Sequence, residues 1–108
     1  MRVCSFAIID AFPVAEHHTL VIPKRHVADY FDLNQPERTA IEAMLHEQRR
    51  LILKQDNTVT GFNVGINAGA SAGQTVFHVH VHLIPWRDGD AADPRGGVRG
   101  VIPSQQRY

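Results

Sequence analysis

QTVFHVHVHLIP, residues 74–85, is the stretch that decides the fold of this chain. Within it, His78, His80 and His82 alternate with branched apolar residues. Because successive side chains of a β-strand point to opposite faces, the alternation predicts a strand with three imidazoles on one face and an apolar row on the other. On a helix the same spacing would turn each imidazole by roughly 200° from the last. Same-face side chains on a strand lie roughly 6.5 to 7 Å apart, so one phosphate group can reach two of these rings.

The sequence before this stretch predicts a strand and then a loop of small residues. Residues 59–66 have the composition of a strand, weakened by Gly61 and Gly65, and the segment NAGASAG, residues 67–73, follows it. Small residues let backbone N–H groups approach a ligand closely, and successive N–H groups can cradle an anion. The loop leads directly into the histidine stretch.

One amphipathic helix is predicted over residues 35–54. Asn34 is its candidate N-cap, Pro36 lies in the first turn, and Glu37 is placed for a capping box. Apolar residues then recur at helical spacing with charged residues between them. The apolar stripe needs a sheet face to cover, and the apolar row of the histidine stretch supplies one.

The remaining segments complete a small antiparallel sheet. Residues 5–10 and 19–22 predict a hairpin, which Pro13 interrupts. A polar loop is predicted over residues 86–95, a short last strand over 97–102, and a mobile tail from about residue 103. Antiparallel strands with one helix predict an α+β fold in a single domain, residues 1–108.

Composition limits the classes of partner. The chain has 108 residues, 11 Lys plus Arg and 11 Asp plus Glu, so its formal net charge is zero. A neutral balance gives no electrostatic basis for nucleic-acid or membrane binding. The single cysteine, Cys4, favours a reducing compartment, and no apolar run approaches the roughly 20 residues that span a bilayer. These features predict a soluble, cytoplasmic protein.

The histidine row leaves three kinds of site open. It can be a solvent-facing strand that carries histidine by chance. It can be a zinc site, because imidazoles at positions i and i+2 can share a metal with a third ligand such as His18 or His26. It can also hold a nucleophilic imidazole that attacks phosphorus, with Nδ1–H held by a nearby carbonyl and Nε2 left free. Flanking imidazoles would then donate to phosphate oxygens, and mutual repulsion would lower at least one pKa. The central residue, His80, is the natural nucleophile.

Two motifs in this order resemble the histidine-triad (HIT) family of nucleotide hydrolases and transferases. The first is HHTLVIPKRH, residues 17–26, and the second is GQTVFHVHVHLIP, residues 73–85. The resemblance covers residues 5 to about 103. It implies a HIT-like fold, which is a five-stranded antiparallel meander sheet with one long helix. It also implies a homodimer in which the two sheets are continuous.

The resemblance implies a role for each of four histidines. His80 matches the nucleophile that forms a nucleotidyl-imidazole intermediate, and His82 matches the histidine that contacts the phosphate oxygens. His78 matches the residue that supports the nucleophile. His18 matches a fourth histidine, which braces the triad from the neighbouring strand. The other histidines, His17, His26 and His46, are interpreted as surface or structural residues.

A nucleotide-binding set is implied in the same way. Asp10 matches a position that hydrogen-bonds ribose hydroxyls, and Asn67 matches a phosphate-contacting amide. The residues that match phosphate and leaving-group contacts are Gly73, Gln74 and Thr75. The residues expected to line the base pocket are Phe6, Ile8 and Ala11.

The implied activity is hydrolysis or transfer of a nucleotide at the α-phosphorus of a nucleoside phosphate. Pro85 and Arg87 favour diadenosine polyphosphate-like substrates, although Trp86 stands where the family often carries Arg. A purine nucleoside phosphoramidase and a nucleotide-binding module with little turnover are the alternatives. The resemblance implies no metal in the site and no required cofactor, although Mg²⁺ can accompany a polyphosphate. The expected partners are the nucleotide substrate and a second copy of the chain.

Overall fold

A four-stranded antiparallel sheet carries one long helix on one face in the computed structural model, which describes residues 4–108. The strands are β1 (Ser5–Ile9), β2 (Thr19–Pro23), β3 (Val59–Gly65) and β4 (Val81–Arg87), and the helix is α1 (Gln35–Gln55). The order across the sheet is β1-β2-β4-β3. The α+β class and the single helix are confirmed, but the described residues form four strands in place of the five expected.

The segment predicted as a last strand forms short 3₁₀ turns, at Gly97–Val101 and Pro103–Gln105. Gly96, just before them, has φ 83°, in the left-handed region that favours glycine. A Cβ at this position would overlap the backbone carbonyl of Gln106. Because the chain turns back on itself here, it cannot continue as an extended strand. The mobility of the tail from about residue 103 stays a prediction.

The histidine stretch is only partly a strand, since β4 begins at Val81. β2 pairs with β4 as far as Val21, opposite Val81. Pro23, two residues further on, has no N–H to extend the ladder, and its carbonyl accepts a hydrogen bond from the His78 ring instead. The predicted alternation nevertheless persists, because Val79 and Val81 are 2% and 1% exposed while the imidazoles stay partly exposed.

Cross-strand partners define the two faces of the sheet. Ile8 is paired with Leu20, and Leu20 with His82, so these three side chains form one row across three strands. Val81, which precedes His82 and points the other way, packs against Ile41 of α1. The histidine site therefore lies on the face opposite the helix, which we call the open face.

α1 begins with the predicted capping box. Asn34 Oδ1 accepts a 2.9 Å hydrogen bond from the Glu37 N–H, and Glu37 Oε1 accepts one of 3.0 Å from the Asn34 N–H. The Arg25 guanidinium, just past β2, donates two bonds of 2.8 Å to the same carboxylate. The helix ends at Gln55, within one residue of the prediction, because local caps and periodicity determine it. Within residues 4–108, no helix has the length and apolar character needed to cross a membrane.

Replacing Glu37 with glutamine should reduce the acid sensitivity of folding. Hydrogen bonds from Arg25, and then from the Asn34 backbone, lower the pKa of Glu37 from 4.5 to about 2. Between pH 4.5 and 2 the carboxylate is charged in the folded protein and protonated in the unfolded chain. Its contribution to the free energy of unfolding is therefore complete above pH 4.5 and is lost as the pH falls toward 2. Urea unfolding midpoints measured across this range should fall less steeply in Glu37→Gln than in wild type. Glu42→Gln, on the exposed face of α1, is the control, and equal slopes in all three proteins would contradict the expectation.

Candidate functional site

His80 has one ring nitrogen committed and one free. Its Nδ1 lies 2.9 Å from the backbone carbonyl of His78. A carbonyl can only accept, so the proton of the neutral ring sits on Nδ1 and Nε2 keeps its lone pair. The ring is only half-buried, so a ligand on the open face can reach Nε2. This is the arrangement of a neutral nucleophile.

A hydrogen-bond chain runs from the Val14 N–H through His18 to His82, and it determines which nitrogen of each ring is protonated. The backbone N–H of Val14 donates to His18 Nδ1 at 3.1 Å, so the proton of a neutral His18 lies on Nε2. His18 Nε2 is 2.9 Å from His82 Nδ1 and therefore donates to it. His82 in turn carries its proton on Nε2. The chain thus presents an N–H donor from His82 close to His80, whose ring centroid lies 5.3 Å away.

The environment keeps His82 neutral. Burial lowers the pKa of His82 first, and the neighbouring His18 and His80 rings lower it further, against an opposing effect of Asp10. The hydrogen bond from His18 requires a neutral His82 ring, because a second proton on His82 Nδ1 would face the Nε2–H of His18. The lowered pKa agrees with the expectation that crowded imidazoles disfavour charge.

His78 supports the site through its backbone carbonyl, while its ring hydrogen-bonds to Pro23 and His26. The ring Nε2–H donates to the carbonyl of Pro23 at 2.8 Å. Its Nδ1, which therefore carries a lone pair, accepts a 3.2 Å hydrogen bond from the His26 Nδ1–H. His26 was expected to be a surface or structural residue, and its ring is exposed but contacts the triad. The position of His26 at the end of the first histidine motif, close to the end of β2, could have predicted this contact.

Asp10 lies beside the hydrogen bond that joins His18 and His82. Its Oδ1 accepts a 2.9 Å hydrogen bond from the Phe12 N–H, which orients the carboxylate. Its Oδ2 is 3.4 Å from His18 Nε2 and 3.9 Å from His82 Nδ1. The carboxylate is close enough to the open face to meet a ligand hydroxyl beside the histidines.

The donor set of Asp10, His18 and His82 is compact enough for a metal ion, but its hydrogen bonding opposes one. A metal on His18 Nε2 would move the ring proton to Nδ1, where it would face the N–H of Val14. A second compact set is formed by Glu16, His17 and Asp56. There, the positive guanidinium of Arg87 already binds the Asp56 carboxylate. Neither set is chemically well suited to a cation.

The loop of small residues is held in place by Gln74. This side chain is buried, its Oε1 accepts from the Gly69 N–H at 2.9 Å, and its Nε2 donates to the carbonyls of Ala28 and Val76. Its polar atoms are therefore used within the protein. Thr75 and the other loop residues expected to meet phosphate, Asn67 and Gly73, are exposed.

An apolar shelf, formed by Phe6, Ile8, Leu20 and Ile22, lies beside the histidines. Phe6 pairs with Ile22 and Ile8 with Leu20, so all four share the open face. Phe6 is 39% and Ile8 45% exposed. Of the predicted base-pocket residues, Phe6 and Ile8 are in the shelf, and Ala11 is exposed in the loop that follows β1. The shelf has the chemistry to hold a flat apolar ring.

Arg87, which was expected with Pro85 to favour diadenosine polyphosphate-like substrates, is bound within the protein. Its Nη2 is 2.9 Å from Asp56 Oδ2 and 3.3 Å from the carbonyl of Glu16. The pKa of Asp56 is lowered by hydrogen bonds from the Thr58 hydroxyl and from Arg87. The guanidinium thus joins the C-terminal end of α1 to the β1–β2 loop. That loop contains His17, the one described non-glycine residue with positive φ, at 72°.

Comparison with known proteins identifies a family profile and several sequence relatives that match this chain. A HIT domain family profile matches residues 4–89. An uncharacterized HIT-like protein of Mycoplasma genitalium is 47% identical over 75% of this chain and 57% of its own length. AP-4-A phosphorylase of Mycobacterium tuberculosis is 37% identical over 80% of this chain and 44% of its own length. The asymmetrical bis(5'-nucleosyl)-tetraphosphatase of Schizosaccharomyces pombe is 37% identical over 82% of this chain and 48% of its own length. The chain therefore spans about half the length of these relatives.

A solved structure shares the arrangement of sheet and helix. The zinc-bound histidine triad family protein from Mycobacterium smegmatis superimposes with a TM-score of 0.76 and 34% identity, covering 86% of this chain and 67% of that protein. The profile match, the sequence relatives and this structure all point to one family. The chain belongs to the HIT domain family.

Proposed function

We propose that this chain is a nucleotide hydrolase or transferase that acts at the α-phosphorus through a nucleotidyl intermediate on His80. The observation that carries the proposal is the hydrogen bond from His80 Nδ1–H to the His78 carbonyl, which leaves Nε2 of this half-buried ring unprotonated. A free imidazole lone pair at neutral pH is a competent nucleophile. The Nε2–H of His82 supplies a donor beside it.

The proposed reaction has two displacements. His80 Nε2 uses its lone pair to form a P–N bond, while the bond from the α-phosphorus to the leaving group breaks and its electron pair departs with that group. His82 Nε2–H stabilises the charge on a non-bridging oxygen. Water then attacks the phosphorus, the P–N electrons return to Nε2, and one water proton passes to solvent. The products are a nucleoside monophosphate and the leaving group.

Dinucleoside polyphosphates are the favoured substrate class. Two of the relatives carry names for chemistry on such compounds, AP-4-A phosphorylase and bis(5'-nucleosyl)-tetraphosphatase. The base would lie on the apolar shelf, Asp10 would bind the ribose, and the loop with Asn67 and Gly73 would meet the phosphates. Mg²⁺ would accompany the polyphosphate as part of the substrate. Phosphoramidate hydrolysis uses the same first displacement with a different leaving group.

A substrate panel with intermediate trapping tests this function. Purified protein is incubated with diadenosine tetraphosphate and with adenosine 5'-phosphoramidate, and AMP release is measured. Rapid quenching followed by mass spectrometry of peptides should place an adenylyl group on His80. AMP binding without turnover of either compound would show a nucleotide-binding module and overturn the enzymatic proposal.

We also propose that two copies associate through β3 and α1. β3 is at one end of the sheet order, and its residue Val64 is 51% exposed. An apolar groove runs between α1 and β3, with Leu45, Phe62 and Leu83 among its lining residues. A second copy can pair its β3 edge here and cover the groove, which makes one continuous sheet.

Val64→Lys should convert the dimer to a monomer, because it places a charge in the apolar groove next to the pairing edge. Light scattering after size exclusion measures the mass. Val101→Lys, at an 85% exposed position outside the groove, should keep the wild-type mass. A wild-type protein that elutes with the mass of one chain at every concentration would contradict the dimer.

A further inference from the structure

A cleft opens on the sheet beyond the histidines. It lies between the β1–β2 loop and the end of β4, and its volume is about 470 Å³. The lining residues are Val14, Ala15, Glu16, Ile84, Trp86, Arg87 and Asp90. Of these residues, only Arg87 was connected with the substrate in the sequence analysis.

The cleft continues the histidine column of β4. Ile84 and Trp86 follow His82 at period two, so all three side chains are on the open face. Asn63, opposite Ile84 on β3, accepts a hydrogen bond from the Trp86 indole N–H, which anchors the ring. Four residues of strand place Trp86 roughly 13 Å from His82. A polyphosphate bridge with its ribose covers a comparable distance from the α-phosphorus.

We propose that this cleft binds the second nucleoside of a dinucleoside polyphosphate, the one that departs with the leaving group, and that its base stacks on Trp86. The inference rests on the proposed function and adds a determinant of substrate class. Val14, Ala15 and Ile84 provide apolar walls, and an indole face is a sequence-tolerant platform for any base.

The charges of the cleft favour a base over further phosphate. Glu16 and Asp90 bring two carboxylates to its rim, and the only cationic side chain in the lining, Arg87, is paired with Asp56. Carboxylates repel phosphate, but they can accept hydrogen bonds from the exocyclic amine of a base. The anionic bridge would thus stay near the histidines while the neutral base enters the cleft.

Trp86 is the single tryptophan of the chain, so its fluorescence reports on the cleft directly. Full-length His80→Ala protein, which cannot turn over substrate, is titrated with diadenosine tetraphosphate and separately with AMP. Diadenosine tetraphosphate should quench the emission, and saturating AMP, which has one base, should leave it nearly unchanged. Equal responses to the two compounds, or no response to either, would overturn the proposal.

Kinetics provide a second, independent readout. The ratio of kcat/KM for diadenosine tetraphosphate to that for adenosine 5'-phosphoramidate should fall in Trp86→Ala by roughly 5- to 160-fold, the range expected for one base–aromatic stack. Trp86→Phe keeps a stacking ring and should hold the ratio near wild type. Phe31→Ala, which removes a 78% exposed aromatic outside the cleft, should not change it.

The two proposals fail in different ways. If wild type turns over both compounds but the ratio is the same in Trp86→Ala, the cleft assignment is wrong and the enzymatic function stands. If wild type turns over neither compound, the enzymatic function is wrong, and the fluorescence titration alone then decides whether the cleft takes the second base.

Discussion

His80→Ala should lower kcat/KM for diadenosine tetraphosphate on the order of 10⁴-fold or more. The variant lacks the Nε2 lone pair that the His80–His78 hydrogen bond leaves unprotonated, so the proposed P–N bond cannot form. Losses of that size are expected when the nucleophile of a covalent mechanism is removed. AMP affinity should change little, because the shelf, Asp10 and the loop are untouched. Steady-state kinetics and calorimetric AMP titration measure the two quantities.

Arg50→Ala is the control for this loss. Arg50 is an exposed residue of α1 that pairs with Glu47 of the same helix, away from the open face, and its removal should leave kcat/KM at the wild-type value. An adenylyl adduct that still forms in His80→Ala would show that another residue is the nucleophile. Loss of AMP binding together with turnover would instead indicate a damaged fold.

His82→Ala should lower kcat by roughly 10²- to 10³-fold with a smaller effect on KM, the loss expected for one donor that acts on transition-state charge. The substitution removes the Nε2–H at the end of the Val14–His18–His82 chain. His82→Gln restores an N–H donor of similar reach and should recover part of the rate.

His78→Ala separates the role of the His78 ring from that of its backbone carbonyl. The His78 ring hydrogen-bonds Pro23 and His26, while its backbone carbonyl, which remains in the variant, holds His80. Its rate loss should therefore be smaller than that of His82→Ala. Equal losses for the two variants, or a His82→Ala effect on KM alone, would contradict the roles assigned here.

Predictions from local pattern succeeded where the physical cause was local. The capping box of Asn34 and Glu37 and the helical periodicity placed α1 within one residue of its observed end. The alternation of the histidine stretch correctly separated Val79 and Val81 from the imidazoles. The hydrogen bond that orients His80 is also local, since its acceptor is only two residues away.

Errors arose where a distant segment decided the outcome. β4 begins at Val81, later than predicted, because Pro23 ends the partner strand and its carbonyl binds the His78 ring. Arg87 was interpreted as favouring a polyphosphate substrate, but its guanidinium is bound by Asp56, 31 residues away. The predicted last strand became turns because the tail folds back on Gly96.

The sequence by itself determined the helix, the hairpin, the alternation of the histidine stretch and the family, because caps, periodicity and ordered motifs act over a few residues. Only the tertiary structure decided which nitrogen carries the proton in His18 and in His82. The direction of the two hydrogen bonds depends on the Val14 N–H, which donates to His18 Nδ1. It also depends on the contact between His18 and His82, which are 64 residues apart in the sequence. An imidazole can carry its proton on either nitrogen, and the choice is made by whichever donors and acceptors the fold brings beside it.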